Sequence, residues 1–257
     1  MTGGQPTRSA VPAAPVTPDA PPGSVRHAVM TQSWTRLTFV HWQYDAGVLA
    51  PLLPPGVRPD VLEGSAWVGL VPFAMRRVRL FGAPPLPHVS AFLETNVRTY
   101  TVGPDGTRGI FFLTLEADRL LPVLAARASY RLPYTWARMS LQQTSDVLTY
   151  ESTRRWPAPV GATSRVRVRV GGPVQASPLD HALTARWDLH SSWWLGRTLV
   201  TPARHDRWPL LAAELLDVDA SLLTPVGLPQ PAGEPKVLHS PGVDARIGLS
   251  HRSRDAA

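Results

Sequence analysis

No cysteine occurs in the 257 residues. That excludes disulfides, thiolate nucleophiles and cysteine-held zinc or iron–sulfur groups. Lysine is nearly absent as well: 25 arginines stand beside one lysine, Lys236. Schiff-base chemistry therefore has one side-chain candidate besides the amino terminus. No apolar run approaches the ~20 residues needed to cross a bilayer as a helix, so no integral membrane protein is expected. The phosphate-cradling patterns GxGxxG and GxxxxGK[ST] are missing, as are the GxSxG elbow and HExxH. No close histidine pair and no carboxylate pair has metal-ligand spacing. Neither a metal nor a cofactor is expected.

What is present is a chain able to fold. Apolar residues make up 44% of it, with nine tryptophans, enough to fill a sizeable core. The formal charge of +7 points toward a nucleic-acid or anionic-surface partner. The arginines are scattered, however. Their densest runs are Arg76, Arg77, Arg79 and Arg165, Arg167, Arg169. The second run alternates with Val166, Val168 and Val170, which reads as a strand with one solvated face. Arginine as the general surface cation of a GC-rich genome is the plainer explanation, and a nucleic-acid partner is not favoured.

Residues 1–29 read as a disordered tail, with six prolines among the first 24 residues and no aromatic residue. Proline interrupts the apolar segment that a secretory signal needs, so a cytoplasmic protein is expected. Residues 30–250 read as one domain and 251–257 as a flexible end. Strand signals dominate the domain: 33–42, 66–71 before Pro72, 90–102, 109–115, 134–142, 147–153, 164–170, 184–188 and 193–199. Gly103-Pro104-Asp105-Gly106 reads as a hairpin loop. Four helices are expected: 45–53 capped by Asp45, 118–132 capped by Asp118, 178–186 after Ser177, and 209–216. The five prolines of 224–242 predict mostly irregular chain there. Many short strands, few helices and no regular βα alternation point to a mainly β (α+β) fold, an antiparallel barrel or sandwich with helices outside.

The most informative segment is 92–100. As a strand it puts Glu94, Asn96, Arg98 and Tyr100 on one face, with neighbours about 6.6 Å apart. A carboxylate, an amide, a guanidinium and a phenol then form a row. Pattern alone favours a solvated surface. On an inner face the same row would be a polar site, because buried charges persist only when paired or bound. His41, His205 and the tryptophans, Trp67 among them, read most simply as hydrogen-bonded core residues or pocket walls.

Several motifs occur in order: Phe39-Val40-His41-Trp42, Leu53-Pro54-Pro55-Gly56-Val57, 66–73 (AWVGLVPF), 94–100 (ETNVRTY) and 126–134 (ARASYRLPY). Leu183-Thr184-Ala185-Arg186-Trp187, 205–210 (HDRWPL) and Val237-Leu238-His239 follow. Together they resemble the YqjF-like family with the DUF2071 domain, over about residues 30–250. That family is similar in fold to acetoacetate decarboxylase. The resemblance implies a cone-like antiparallel barrel with a few peripheral helices and an inner small-molecule cavity, and it turns the Glu94 face inward. It aligns Glu94 with the decarboxylase's cavity glutamate. It also sets Pro133-Tyr134 where a Pro-Lys motif would supply the Schiff-base lysine. A phenol forms no imine.

The resemblance therefore leaves Glu94, Arg98 and Tyr134 as candidate catalytic groups: an acid or base, a carboxylate anchor and a hydrogen-bond donor. Asn96, Tyr100, His41, Trp67 and His205 are the candidate substrate-binding residues. Three readings stay open. The first is an enzyme acting on a small carboxylate or carbonyl compound without an imine. The second is a non-catalytic binder of such a small-molecule ligand. The third is a basic nucleic-acid or anionic-surface binder. No membrane partner is expected, and a homo-oligomer is compatible with the sequence.

Overall fold

The computed structural model describes residues 21–85, 89–120, 123, 132–192 and 198–253. Its strands are β1 (Met30–Tyr44), β2 (Arg58–Pro59), β3 (Ala66–Leu80), β4 (Phe92–Val102), β5 (Arg108–Ala117) and β6 (Tyr134–Thr144). They continue as β7 (Val147–Trp156), β8 (Thr163–Pro173), β9 (Asp188–Ser192), β10 (Thr198–His205), β11 (Leu211–Asp219), β12 (Lys236–Ile247) and β13 (His251–Arg252). Between them lie the short α-helices α1 (Ala46–Leu49) and α2 (Pro178–Thr184).

The sheet closes twice. In order, β5, β6, β7, β8, β11, β12, β1, β3 and β4 form a nine-strand barrel, completed by the pairing of β4 with β5. A second route runs from β12 through β10 and β9 back to β5. The strands β12, β1, β3, β4 and β5 are thus a wall common to both closures. Pairing is antiparallel except where β5 meets β6 and β9.

A common wall has two buried faces. On one, Val40, Trp42, Leu70 and Val97 pack against Leu148, Tyr150, Val166 and Val168 of β7 and β8. On the other, Phe39, Phe73 and Phe92 pack with Trp208 and Leu210. Farther along that second face, Trp67 and Tyr100 meet Ala182 and Leu183 of α2. Every residue of β4 except Leu93 is buried.

Two prolines sit inside wall strands, where a missing N–H should break a ladder. Both flank Arg36. The β1–β3 ladder skips from Thr35 to Val40, which leaves Pro72 without a β1 partner. The β1–β12 ladder skips Arg36 and Pro241. Arg36 has a φ of 52°, and its carbonyl accepts from the Tyr150 hydroxyl at 2.8 Å. The kink at Arg36 gathers the lost ladder bonds in one place, and Tyr150 satisfies the carbonyl it frees.

Most of the expected elements are found, with four corrections. β3 does not stop at Pro72, for the reason just given. The expected strand at 184–188 is instead the end of α2 and a turn, with β9 starting at Asp188. The expected helix at 209–216 is strand β11, because its residues pair with β8 and β12. Residues 236–242, expected to be irregular, belong to β12. Asp45 and Ser177 cap α1 and α2 as read from the sequence. The arginines of β8 face out, with Arg165 bound to Asp217 and Arg169 to Glu214 across the β11 ladder.

Most of the expected helix 118–132, most of 193–199 and residues 1–20 of the tail lie outside the described residues. Within the rest of the tail, the carbonyls of Pro22 and Val25 accept from Arg204 and Arg246. His251 and Arg252 pair with β10. Among the described residues no helix is long and apolar enough to cross a membrane.

Candidate active site

β4 carries the polar row on the face shared with Phe39, Trp208 and α2. Two nodes form along it. At the first, the Tyr134 hydroxyl, at the start of β6, donates to Oε2 of Glu94 at 2.8 Å. Asn96 also hydrogen-bonds the Glu94 carboxylate, while its Oδ1 is buried without a partner. Burial pushes the Glu94 carboxyl up to about 7, against the lowering pull of the Tyr134 and Asn96 bonds. Burial and the adjacent carboxylate hold the Tyr134 phenol well above its ordinary value. The pair therefore shares one proton-accepting group poised near neutrality and one permanent donor.

The second node, at Arg98 and Tyr100, begins about 13 Å farther along β4, from the four residues between Glu94 and Arg98 at roughly 3.3 Å each. Tyr100 donates its single hydroxyl hydrogen to the Leu183 carbonyl at 2.6 Å. The same oxygen contacts His41 Nε2 at 2.5 Å, so the imidazole donates there and is protonated on Nε2. Burial, with the positive charges of Arg98 and Lys236 behind it, keeps His41 well below its usual range and hence neutral. Gly69 makes this contact possible. It lies between His41 and Arg98 in the ladders, and a Cβ there would come within 2.9 Å of the imidazole.

Arg98 is 7% exposed. Its contacts are neutral: the Tyr100 hydroxyl at 3.4 Å, the Leu183 carbonyl at 3.3 Å and the faces of Phe39 and Tyr100. Among the described residues it has no carboxylate partner. A second guanidinium, Arg186, lies over the same Tyr100 ring but is paired with buried Asp60 at 2.8 Å. Arg108 also binds Asp60. The sequence reading missed this Asp60–Arg186–Arg108 cluster, whose members are far apart in sequence.

Trp67 donates to the Leu62 carbonyl and walls the second node. His205 stands apart from the row. Its ring nitrogens contact the carbonyls of Asp206 and Arg186, and it packs against Trp34 and Trp208. Lys236 lies opposite His41 in the β1–β12 ladder, nearer the row than the sequence suggested. Its ammonium is paired with Asp180 at 2.9 Å, and Asp180 also closes the capping box of α2. Among the described residues, no three His, Asp or Glu gather as a metal-holding group.

The DUF2071 family profile, described as an uncharacterized conserved protein, matches residues 31–244. The chain belongs to that family. It is 32% identical over 214 residues to YqjF of Bacillus subtilis (strain 168), itself described as uncharacterized, covering 82% of this chain and 86% of that protein. Three solved structures are similar in fold. Acetoacetate decarboxylase from Legionella pneumophila aligns with a TM-score of 0.59 at 15% identity, covering 96% of this chain and 93% of that one. The enduracididine biosynthesis enzyme MppR, complexed with pyruvate, aligns at 0.61 and 12% identity, covering 92% of each. An acetoacetate decarboxylase-like enzyme from Sphingomonas wittichii RW1 aligns at 0.60 and 14% identity, covering 91% and 97%. The DUF2071 chain thus has the acetoacetate decarboxylase-like fold.

Proposed function

We propose that the Glu94–Tyr134 pair moves a proton on a small carboxylate or carbonyl compound without an imine, and that Arg98, farther along β4, offers a separate point of attachment for a carboxylate. The observation that carries this reading is the Tyr134–Glu94 hydrogen bond, with the carboxyl held near 7. In the charged form Glu94 takes a proton from a carbon next to a carbonyl; once protonated it returns it. Tyr134, always a phenol, donates to the carbonyl oxygen as negative charge develops there. Arg98, which has no acidic partner among the described residues, suits a carboxylate. Support from the fold relatives is limited to small ligands, pyruvate among them.

The test is proton NMR of pyruvate in D2O. The methyl protons should exchange faster with the protein than in buffer, and Glu94→Gln should abolish the gain. A second reading, a non-catalytic binder of small carboxylates, is favoured by the near-complete burial of Glu94 at 2% exposure. Buffer-rate exchange, with pyruvate binding that Arg98→Met removes, would select the binder. No binding and no exchange would sink both.

A further inference from the structure

β5 is where the sheet forks. Ile110 and Phe111 pair with β9, and Leu115 to Ala117 pair with β6. Between them, residues 112–114 meet neither strand on that edge. Leu113 is also the extra residue of a bulge: Thr114 faces Val97 and Phe112 faces Arg98, which leaves Leu113 with no partner in any ladder. Bulges re-aim groups beside binding sites.

The fork opens on a cavity of about 430 Å³ lined by Leu113, Thr114, Arg154 and Ser192, with Leu52 and Val226 on its apolar wall. That volume suits a small organic molecule. Arg154 binds Glu116 Oε1 through Nε at 2.9 Å and Nη2 at 2.5 Å, and Nη2 also donates to Thr114 at 3.1 Å. The Arg154 and Glu116 side chains are 5% and 0% exposed. Nη1 of Arg154 has no partner among the described residues, and Oε2 of Glu116 is buried without one. The floor is electrically neutral. A ligand carboxylate would share a guanidinium already engaged and lie beside a buried glutamate. A neutral group that both accepts and donates fits better.

We propose that the cavity at the β5 fork binds a neutral small molecule with an amide on an apolar ring or chain. The amide oxygen takes an Arg154 Nη1–H, and the amide N–H meets the carbonyl of Leu113, the residue the ladders skip. This site is distinct from the Glu94 site. Thr135, which lines the cavity, follows Tyr134 on β6, so their side chains point to opposite faces.

Titration calorimetry of the full chain with benzamide and with benzoate tests the proposal. Benzamide should bind with a Kd on the order of 1 mM, as expected for so small a ligand, and benzoate at least about tenfold more weakly. Ser192→Trp, at an exposed edge of the cavity, should weaken benzamide about tenfold or more. Glu94→Gln should leave its binding unchanged. Removing Arg154 alone strands Glu116, so the floor is tested by the joint change Arg154→Met with Glu116→Leu, which should abolish the preference for benzamide. The proposal is overturned if benzoate binds as well as benzamide or Ser192→Trp has no effect. It also falls if Glu94→Gln or the joint change gives the opposite result, or if benzamide shows no saturation by about 20 mM.

Discussion

Tyr134 and Glu94, 40 positions apart, are joined by one 2.8 Å hydrogen bond that ties the start of β6 to the start of β4. The bond places a permanent donor on a carboxyl whose proton is held to about 7. The native state therefore binds that proton more tightly than the unfolded chain, in which the carboxyl has its ordinary value of 4.5. Its stabilising effect is complete below about pH 4.5 and lost as the pH rises to about 7. Glu94→Gln removes the titration. The difference in denaturant stability between the variant and the natural chain should shift toward the variant by about 3 kcal/mol across that window. A pH-independent difference would contradict a raised carboxyl.

Buried histidines impose the opposite slope. Burial lowers His190 and His239 from 6.5 to about 4. For each, the unfolded chain takes up a proton first as pH falls, so stability is present above about 6.5 and lost toward pH 4. Each accounts for about 3 kcal/mol of that loss. Thermal melts between pH 4 and 7 should show a steep acid limb, and His239→Asn should flatten it. An unchanged limb in the variant would remove His239 from the account.

The lone lysine offers a sharp chemical check. Borohydride added with acetoacetate should leave no reduced adduct at Lys236, read by peptide mass spectrometry. The ammonium is engaged by Asp180, and only the free amine attacks a carbonyl. An adduct on Lys236 would restore imine chemistry from a strand where the resemblance does not place it.

Gly69 should tolerate no side chain. Gly69→Ala sets a methyl group 2.9 Å from the His41 ring and should cost about 1–3 kcal/mol by urea unfolding. Combined with His41→Ala, the second change should cost less than it does alone, since the clash is gone. Strict additivity would mean that the imidazole does not set the limit at Gly69.

The sequence made the strand over 92–102 legible, along with its Gly103–Gly106 turn and the caps Asp45 and Ser177. It did not reveal which face of β4 carries the candidate site. Alternation tells inside from outside only when one face meets water, and here Val97 and Arg98 are both buried. Only the family resemblance turned Glu94 inward. The stretch 209–216 was misread because its leucines and alanines favour helix locally, while ladders to β8 and β12 decide its state. Proline hid β12 for a similar reason: what excuses Pro241 is the kink at Arg36 on another strand. Glu116 and Arg154 are legible only as a pair, across 38 positions.

The double closure also bears on how copies of this chain can meet. A sheet normally recruits a neighbour through a bare outer strand. Here the strand order ends at β2 and β13, two residues each. Neither is long enough to template a continuous intermolecular ribbon. The longer bare edges lie within the order: among the described residues, β6 beyond Trp136 and β11 beyond Ala212 pair on one side only, so a strand of a second copy would meet the sheet there without a ring having to open.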